Sequence, residues 1–198
     1  MNAKFFDLKQ EKQDRMINAA LKVFALNGYV HASTDDIVAE AHISKGLLFH
    51  YFESKIGAYS FMFDYSIKYL SLEYSAAVDP SETSYIVVRR QMEAAKMQVM
   101  KKYPYMQYFL NTVSQETFPE ALKALESSKK SFEEALGTIL EHTDLEELKA
   151  KPDCDKCLTI LEYSLDSLLE DMFFRNEFTV EGYYNEAIRY IDLISRLL

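Results

Sequence analysis

Helix-breaking residues are scarce in this 198-residue sequence, which holds five glycines and four prolines. Such scarcity favours helical over β architecture. No run of about 18 apolar residues occurs, so we expect no membrane span. Residues 1–7 carry charges of both signs and no long apolar stretch, so we expect no signal peptide and a cytoplasmic protein. In that compartment the two cysteines should be thiols rather than a structural disulfide.

Enzyme motifs are absent as well. The sequence has no glycine-rich dinucleotide fingerprint, no phosphate-binding loop, no nucleophile elbow and no His-Glu-x-x-His. Glu-x-x-His, the motif of di-iron sites in helical bundles, is also missing. The four histidines have no carboxylate arrangement around them that would indicate a hydrolase. We therefore expect a protein that is not an enzyme and that carries no cofactor or metal.

Acidic residues outnumber basic ones, and the net charge is −9. The excess is unevenly distributed: residues 1–60 hold seven residues of each sign, whereas the rest holds fifteen basic and twenty-four acidic residues. DNA would repel the acidic part, so a DNA-binding surface is expected only near the N-terminus. Hydrophobic residues make up 48% of the chain, which is enough for a folded core.

The first part of the chain predicts three short helices. Residues 10–27 carry four apolar residues on one helical face, Ile17, Ala20, Leu21 and Phe24. Gly28 should end this helix in a left-handed conformation. Thr34 is the expected N-cap of a second helix, and two aspartates follow it in the positive first turn.

A third helix should follow after a turn at His42-Ile43. Ser44 is its expected N-cap, and it should run over Lys45–Tyr51. This helix should expose a lysine, a glycine and two aromatic residues, namely Lys45, Gly46, Phe49 and His50. This is the pattern of a helix-turn-helix whose second helix enters the DNA major groove. The three helices should enclose an apolar core of Phe24, Ile37, Ile43, Leu48 and Phe52.

Prolines and caps divide the remaining chain into further helices. Ser54 should cap a long helix that ends near Val78, before Asp79-Pro80. Each proline marks a helix boundary. The expected helices cover 82–102, 104–115, 117–142, a turn at 144–150, then 152–176 and 179–198. Residues 85–88 have β propensity, but the helix-favouring sequence after them keeps the segment helical.

The last two helices, about 152–176 and 179–198, are unusually apolar. Each follows a 3-4 spacing and also carries apolar residues outside that seam, among them Ile160, Tyr163, Phe174, Tyr190 and Leu197. A surface this wide can serve the core on one side and a second subunit on the other. We expect a four-helix homodimer interface; the alternative is a purely internal core.

Aromatic and methionine side chains are dense in the middle of the chain. They suit either an ordinary core or a pocket for an apolar or amphipathic small molecule. The candidate ligand-binding residues are Phe61, Tyr65, Tyr69, Met92, Met97, Met100, Tyr105, Tyr108 and Phe109.

Cys154 and Cys157 have the C-x-x-C spacing of redox sites. The strand-then-helix context of thioredoxin-type sites is missing, so the pair suits core packing, with a redox-sensing pair as the alternative. A zinc site would need more ligands than this segment provides.

Residues 12–60 resemble the N-terminal segment of the tetracycline-repressor (TetR) family of transcription regulators. The matching residues are Phe24-Ala25-Leu26-Asn27-Gly28-Tyr29 and then Thr34-x-x-Ile37-x-x-Glu40-Ala41-x-Ile43-Ser44-Lys45-Gly46-x-Leu48-Phe49-His50-Tyr51-Phe52-x-Ser54-Lys55. The resemblance implies an all-α protein of about nine helices. It would have a three-helix DNA-binding domain over residues 1–53 and a helical-bundle domain for effector binding and dimerisation over residues 54–198.

The resemblance also implies roles for individual residues. Lys45 and Gly46 would lie closest to the base edges, because a position without a side chain allows close approach and lysine donates to guanine O6 and N7. The sugar-phosphate backbone would be contacted by Thr34, Ser44, Phe49, His50, Tyr51 and Lys55. Tyr51 suits core packing equally well, and Phe52 suits the core better.

Several positions depart from the family pattern. His42 stands where glycine is usual, so the turn should be less left-handed or slightly strained. Phe49 lacks the phenol that would bind a phosphate, although it can contact a thymine methyl. Leu47 replaces a small polar residue, and Asp35 adds a negative charge where DNA would approach.

The expected function is that of a transcriptional regulator, and a repressor in particular. It would bind a pseudo-palindromic operator as a homodimer and be released by a small-molecule effector. The alternative is a helical ligand-binding or partner-binding protein whose DNA-binding head is weak or vestigial.

Overall fold

The computed structural model describes the backbone of residues 3–198 and the side chains from residue 4 onward. It contains one short 3-10 helix and ten α-helices, and the described residues include no β-strand. The predicted all-α fold is confirmed, with one α-helix more than the expected nine. The first two residues of the predicted head lie outside the described part of the chain.

The helices follow one another with short connections. A 3-10 helix at Ala3–Asp7 precedes α1 (Gln10–His31), α2 (Thr34–Ala41), α3 (Lys45–Phe52), α4 (Lys55–Ala77), α5 (Tyr85–Lys102), α6 (Met106–Ser114), α7 (Pro119–Leu140), α8 (Leu145–Lys149), α9 (Cys154–Phe174) and α10 (Val180–Leu197).

The predicted break in α1 at Gly28 is confirmed. Gly28 has a positive φ of 63° and a ψ of −178°, which is not a helical conformation, and a short second helical stretch completes α1 at His31. The Ala32 N–H then donates to the Gly28 carbonyl. The predicted apolar face is confirmed, because Ile17, Leu21 and Phe24 are fully buried. Gly28 therefore separates the main part of α1 from its last turn.

The prediction that Thr34 caps α2 is wrong. The cap is Ser33, whose backbone is extended and whose hydroxyl accepts a hydrogen bond from the Asp35 N–H at 3.1 Å. Thr34 is already the first residue of the helix. A serine and a threonine in sequence offer the same cap chemistry, so the pattern alone cannot choose between them.

The turn after α2 is left-handed in spite of its side chain. His42 has φ 50° and ψ 50°, so the expectation of a less left-handed turn is wrong, and His42 holds a conformation that glycine would adopt more readily. Ser44 caps α3 as predicted, since its Oγ accepts from the Leu47 N–H at 3.2 Å. Of the predicted head core, Ile43 is only half-buried.

The later boundaries lie close to their predictions. Ser54 Oγ accepts from the Gly57 N–H at 3.1 Å at the start of α4, and Thr179 Oγ1 accepts from the Gly182 N–H at 3.1 Å at the start of α10. Residues 85–88 are helical, as their sequence context predicts. In the described part of the chain, no helix is both long enough and apolar enough to cross a bilayer.

Contacts divide the chain into two units. The first comprises the residues up to Tyr69 together with Tyr103–Phe132, and the second comprises Leu70–Lys102 together with Glu133–Leu198. The predicted functional boundary between residues 53 and 54 stays a prediction.

In the first unit, α1 is the central element and packs against both α2 and α6. Phe24 lies in an aromatic group with Tyr59 and Phe109, at ring-centroid distances of 4.9 and 6.2 Å. A polar contact also holds α1: the hydroxyl of Tyr103, which precedes α6, donates to Asp14 Oδ1 at 2.6 Å and lies 2.8 Å from the hydroxyl of Tyr65 on α4. The helix that supports α2 is therefore fixed from its other side as well.

In the second unit, α10 packs against α5 and α9. Its buried face carries Tyr183, Ala187, Ile191 and Ile194. A smaller apolar cluster joins Tyr85, Leu148 and Cys154. The N-terminus of α5 is held by Asp144, whose Oδ1 accepts from the Tyr85 N–H at 2.7 Å.

Candidate nucleic-acid interface

The helix α3 is buried along one face and exposed at its N-terminal end. Leu48 and Phe52 are buried, whereas Lys45, Gly46 and His50 are exposed. The two caps and the short turn fix its direction relative to α2. This is the arrangement of a helix-turn-helix, in which the second helix offers its first residues to the major groove.

The surface at Gly46 is open. A Cβ built at this position meets no heavy atom within 4 Å. The protein's own packing therefore does not require glycine here. A close approach by an external surface is a physical reason for a glycine at an exposed helical position.

Three basic groups of the head, besides Lys55, have partners within the protein. Lys45 Nζ lies 2.7 Å from Asp35 Oδ1, and Lys22 Nζ lies 2.8 Å from Glu40 Oε1. Arg15 Nε donates to the Ala41 carbonyl at 2.9 Å. An exposed ion pair such as Lys45–Asp35 contributes about 1 kcal/mol or less, so a phosphate or a base edge can replace Asp35 at little cost.

Lys55, which is predicted to contact a DNA phosphate, is bound by other groups of the protein. Its ammonium donates to the Val30 carbonyl at 3.0 Å and to the Ala32 carbonyl at 3.1 Å. It also lies 4.7 Å from the ring centroid of Tyr29. Lys55 thus ties the start of α4 to the end of α1, and its predicted phosphate contact would have to share or replace these bonds.

The aromatic residues of α3 occupy three kinds of environment. His50 is exposed and makes an edge contact with Tyr51 at 4.9 Å between ring centroids. Tyr51 is half-buried and contacts the Phe5 ring at 5.7 Å, while Phe49 is half-buried. Phe52 is buried against Phe61 at 4.9 Å, which confirms its predicted place in the core.

Gly57 supports the site, although it is not among the predicted site residues. A Cβ at this position would lie 2.0 Å from the Phe52 carbonyl oxygen. The corner between α3 and α4 is tight, with Glu53 at φ 64° and the Ser54 N–H donating to the Phe52 carbonyl at 2.7 Å. The signal available in the sequence was a glycine only three residues after Ser54, the predicted N-cap of α4.

The candidate ligand-binding residues are distributed over both units. Phe61, Tyr65, Tyr69, Tyr105, Tyr108 and Phe109 belong to the first unit, whereas Met92, Met97 and Met100 belong to the second. Within the first unit, Phe109 packs against Phe24 and Tyr59 as ordinary core. A cavity of about 180 Å³ between the end of α3 and the start of α4 includes Phe61 in its lining.

The cysteine pair begins α9. Cys154 is buried and Cys157 is half-buried, and both are free thiols. Burial raises the pKa of the Cys154 thiol, which disfavours the thiolate that redox chemistry needs. This environment favours the packing interpretation. Among the described residues, no group of three or more His, Cys, Asp or Glu side chains is arranged to hold a metal ion.

Comparison with known proteins agrees with this geometry. Residues 16–57 match the family model of bacterial regulatory proteins, tetR family. The match is confined to this segment. It begins within α1 and ends at Gly57, so it covers the capped turn, the whole of α3 and the tight corner that follows.

The whole chain has the fold of solved TetR-family regulators. A TetR family transcriptional regulator from Chloroflexus aurantiacus is 19% identical, with a TM-score of 0.63, and the match covers 98% of this chain and 95% of that one. PfmR, a TetR family transcriptional regulator from Thermus thermophilus, is 23% identical, with a TM-score of 0.58 and coverage of 92% and 97%.

A TetR-like transcriptional regulator from a Rhodococcus species is 20% identical, with a TM-score of 0.57 and coverage of 93% and 95%. At these identities the likeness establishes the fold. None of the curated proteins compared matches this chain.

Proposed function

We propose that this chain is a DNA-binding transcription regulator and that it acts as a repressor. The observation that carries the proposal is the free N-terminal end of α3, where Lys45 and Gly46 are exposed while Leu48 and Phe52 anchor the helix. The tetR-family match over residues 16–57 supports it.

In this proposal, the residues of α3 divide the work of recognition. Lys45 leaves Asp35 and donates to guanine O6 and N7, and Gly46 lets the helix approach the bases. Phe49 contacts a thymine methyl. The backbone contacts are assigned to Thr34, Ser44, His50, Tyr51 and Lys55, and they set the register on the duplex.

The proposed assembly is a homodimer through α9 and α10. Tyr163 is 71% exposed and Phe174 is 83% exposed. Together with Ile160 they form a stripe on the side of α9 that faces away from its buried residues. Leu193 and Leu197 are exposed on α10. Apolar side chains grouped in this way indicate an interface, and a dimer would present two copies of α3 about 34–36 Å apart.

The proposed control is a shift between two states of this dimer. A small apolar or amphipathic molecule would bind the state whose α3 helices do not match successive major grooves. A differential affinity of about 1–3 kcal/mol would change DNA binding about 5–150-fold. The candidate contact residues are those given above from the sequence.

A gel-shift titration against the DNA upstream of its own gene tests the proposal. We expect retardation that prefers this DNA over a shuffled sequence and that weakens steeply as salt rises. Lys45→Ala should relax the base preference, whereas Lys55→Ala should weaken binding to all sequences. Absence of any sequence-preferring retardation would instead support the rival function, a helical ligand-binding or partner-binding protein, which the electrically balanced head and Asp35 favour.

A further inference from the structure

A group of charged side chains is buried inside the second unit. Three of its members are on α5: Arg89, Glu93 and Lys96 are 7%, 1% and 8% exposed. Lys96 Nζ donates to Glu93 Oε1 at 2.7 Å. Buried ions lower stability unless they are well paired, so such a group in the core of a helical unit calls for an explanation.

The pairing of this group is incomplete. Glu93 neutralises one of the two cations, which leaves one positive charge in the buried part. That charge is balanced by Glu162 of α9, whose Oε1 lies 2.7 Å from Arg89 Nη2. Glu162 differs from the other three because its side chain is 49% exposed. Glu162 is therefore the member of this charged group whose side chain can move into solvent.

Arg89 has unused donors on one edge. Its Nε and Nη2 atoms are both buried and lack a hydrogen bond, although Nη2 lies 2.7 Å from Glu162 Oε1 and 3.7 Å from Glu93 Oε1. These two nitrogens form the side edge of the guanidinium, which binds a planar carboxylate through two parallel hydrogen bonds. An unsatisfied buried donor is costly, so a ligand that satisfies both donors gains binding energy from them.

The other groups nearby are compatible with an added anion. Asp166 of α9 is half-buried, and burial raises the pKa of its carboxyl group, which disfavours the negatively charged form of Asp166 itself. Tyr74 and Tyr183 are buried around the cluster and are neutral at ordinary pH. A cation fits less well, because the acceptor left over, Glu93 Oε2, belongs to a carboxylate that already faces Arg89 and Lys96.

We propose that the Arg89 edge is a binding site for the carboxylate group of a small monocarboxylic acid, which takes the place of the Glu162 side chain. The site lies wholly within the second unit. It deepens the proposed function, since the carboxylate would be the anionic head of the amphipathic effector, but the binding itself does not depend on DNA recognition.

Calorimetric titration of the full chain with sodium octanoate tests this site, and octanamide and octylammonium serve as matched ligands. We expect saturable binding of octanoate, and binding of the two matched ligands at least about ten-fold weaker, because neither offers two acceptors to the guanidinium. Equal binding of octanoate and octanamide, preferred binding of octylammonium, or no binding of octanoate would each overturn the proposal.

Three variants locate the site. Arg89→Gln should weaken octanoate binding about ten-fold or more, whereas the control Arg90→Gln, at a half-buried arginine paired with Asp192, should leave it unchanged. Glu162→Gln should tighten binding, since it removes the competing carboxylate without removing a core side chain. If Arg89→Gln does not fold, the Glu162→Gln result decides alone: weaker or unchanged octanoate binding contradicts the site.

A gel shift in the presence of octanoate separates this site from the proposed function. Octanoate binding with release of DNA supports both, and octanoate binding without any DNA retardation supports the site and refutes the regulator. Sequence-preferring retardation of DNA without octanoate binding supports the regulator and refutes the site.

Discussion

Removal of one hydroxyl group at Tyr103 should destabilise the first unit measurably. Tyr103 is fully buried, and its hydroxyl donates to Asp14 Oδ1 at 2.6 Å and lies 2.8 Å from that of Tyr65. Since Tyr103 donates to Asp14, Tyr65 is the donor in the second bond. Burial and the bond to Asp14 raise the pKa of Tyr103, which agrees with a tightly held proton.

The magnitude follows from these two bonds. A hydrogen bond to a charged group contributes about 1.5–3 kcal/mol, and one between neutral groups contributes about 1 kcal/mol. Asp14 is half-buried, so its bond belongs at the lower end of the range. Tyr103→Phe keeps the ring and creates no cavity, and we expect the free energy of unfolding to fall by about 2.5 kcal/mol, with about 1.5 kcal/mol from the bond to Asp14 and about 1 kcal/mol from the bond with Tyr65.

Urea unfolding followed by far-ultraviolet circular dichroism measures this change. Ser127→Ala is the control for loss of a hydroxyl group, because Ser127 is exposed on α7, and an exposed substitution should alter stability by less than about 0.5 kcal/mol. Asp14→Asn combined with Tyr103→Phe completes a double-mutant cycle, and we expect coupling between the two sites. If Tyr103→Phe is as stable as the wild type, or if the two substitutions are additive, the hydroxyl does not fix α1 as described.

Three further predictions concern the cap of α2, the corner between α3 and α4, and the buried Tyr74. Ser33→Ala should destabilise the protein by about 0.5–2 kcal/mol through loss of the α2 cap, and Thr34→Ala should cost less; equal losses would contradict the assignment, and urea unfolding measures both. Gly57→Ala should lower the melting temperature, since its Cβ would lie 2.0 Å from the Phe52 carbonyl oxygen, whereas an unchanged melting temperature would show that the corner yields. Burial raises the pKa of Tyr74 to about 12, so unfolded chains lose this proton from about pH 10 while folded chains keep it, and stability falls above that pH. Tyr74→Phe should lose about 1 kcal/mol less than the wild type between pH 8 and pH 11, and parallel losses in urea titrations would refute the shift.

The helices could be predicted because their signals are local. Proline, capping residues and apolar spacing act over one or two turns, and they placed α5 to α10 within a few residues of the structure. The error at the start of α2 arose because two neighbouring residues have equivalent chemistry. Ser33 and Thr34 are both good caps, and the structure uses Ser33.

The contacts within the site were beyond reach of the sequence because they join distant residues. Lys55 bonds with the Val30 and Ala32 carbonyls, and no local pattern signals this partnership. The buried charges at Arg89, Glu93 and Lys96 follow an i, i+4, i+7 spacing that is equally typical of a solvated helix face. Only the packing of α9 and α10 against α5 shows that this face is buried.

The most direct test of the central claim is DNA affinity after a substitution at Gly46 that leaves the fold intact. Gly46 and Gly137 are both helical positions where a Cβ meets nothing within 4 Å, so Gly46→Leu and Gly137→Leu should both fold as well as the wild type. In a fluorescence-anisotropy titration with the preferred upstream DNA, Gly46→Leu should weaken binding about ten-fold or more, since one bidentate base contact alone is worth about 1–3 kcal/mol, and Gly137→Leu should bind like the wild type. Equal affinity of both variants would show that α3 does not approach the bases.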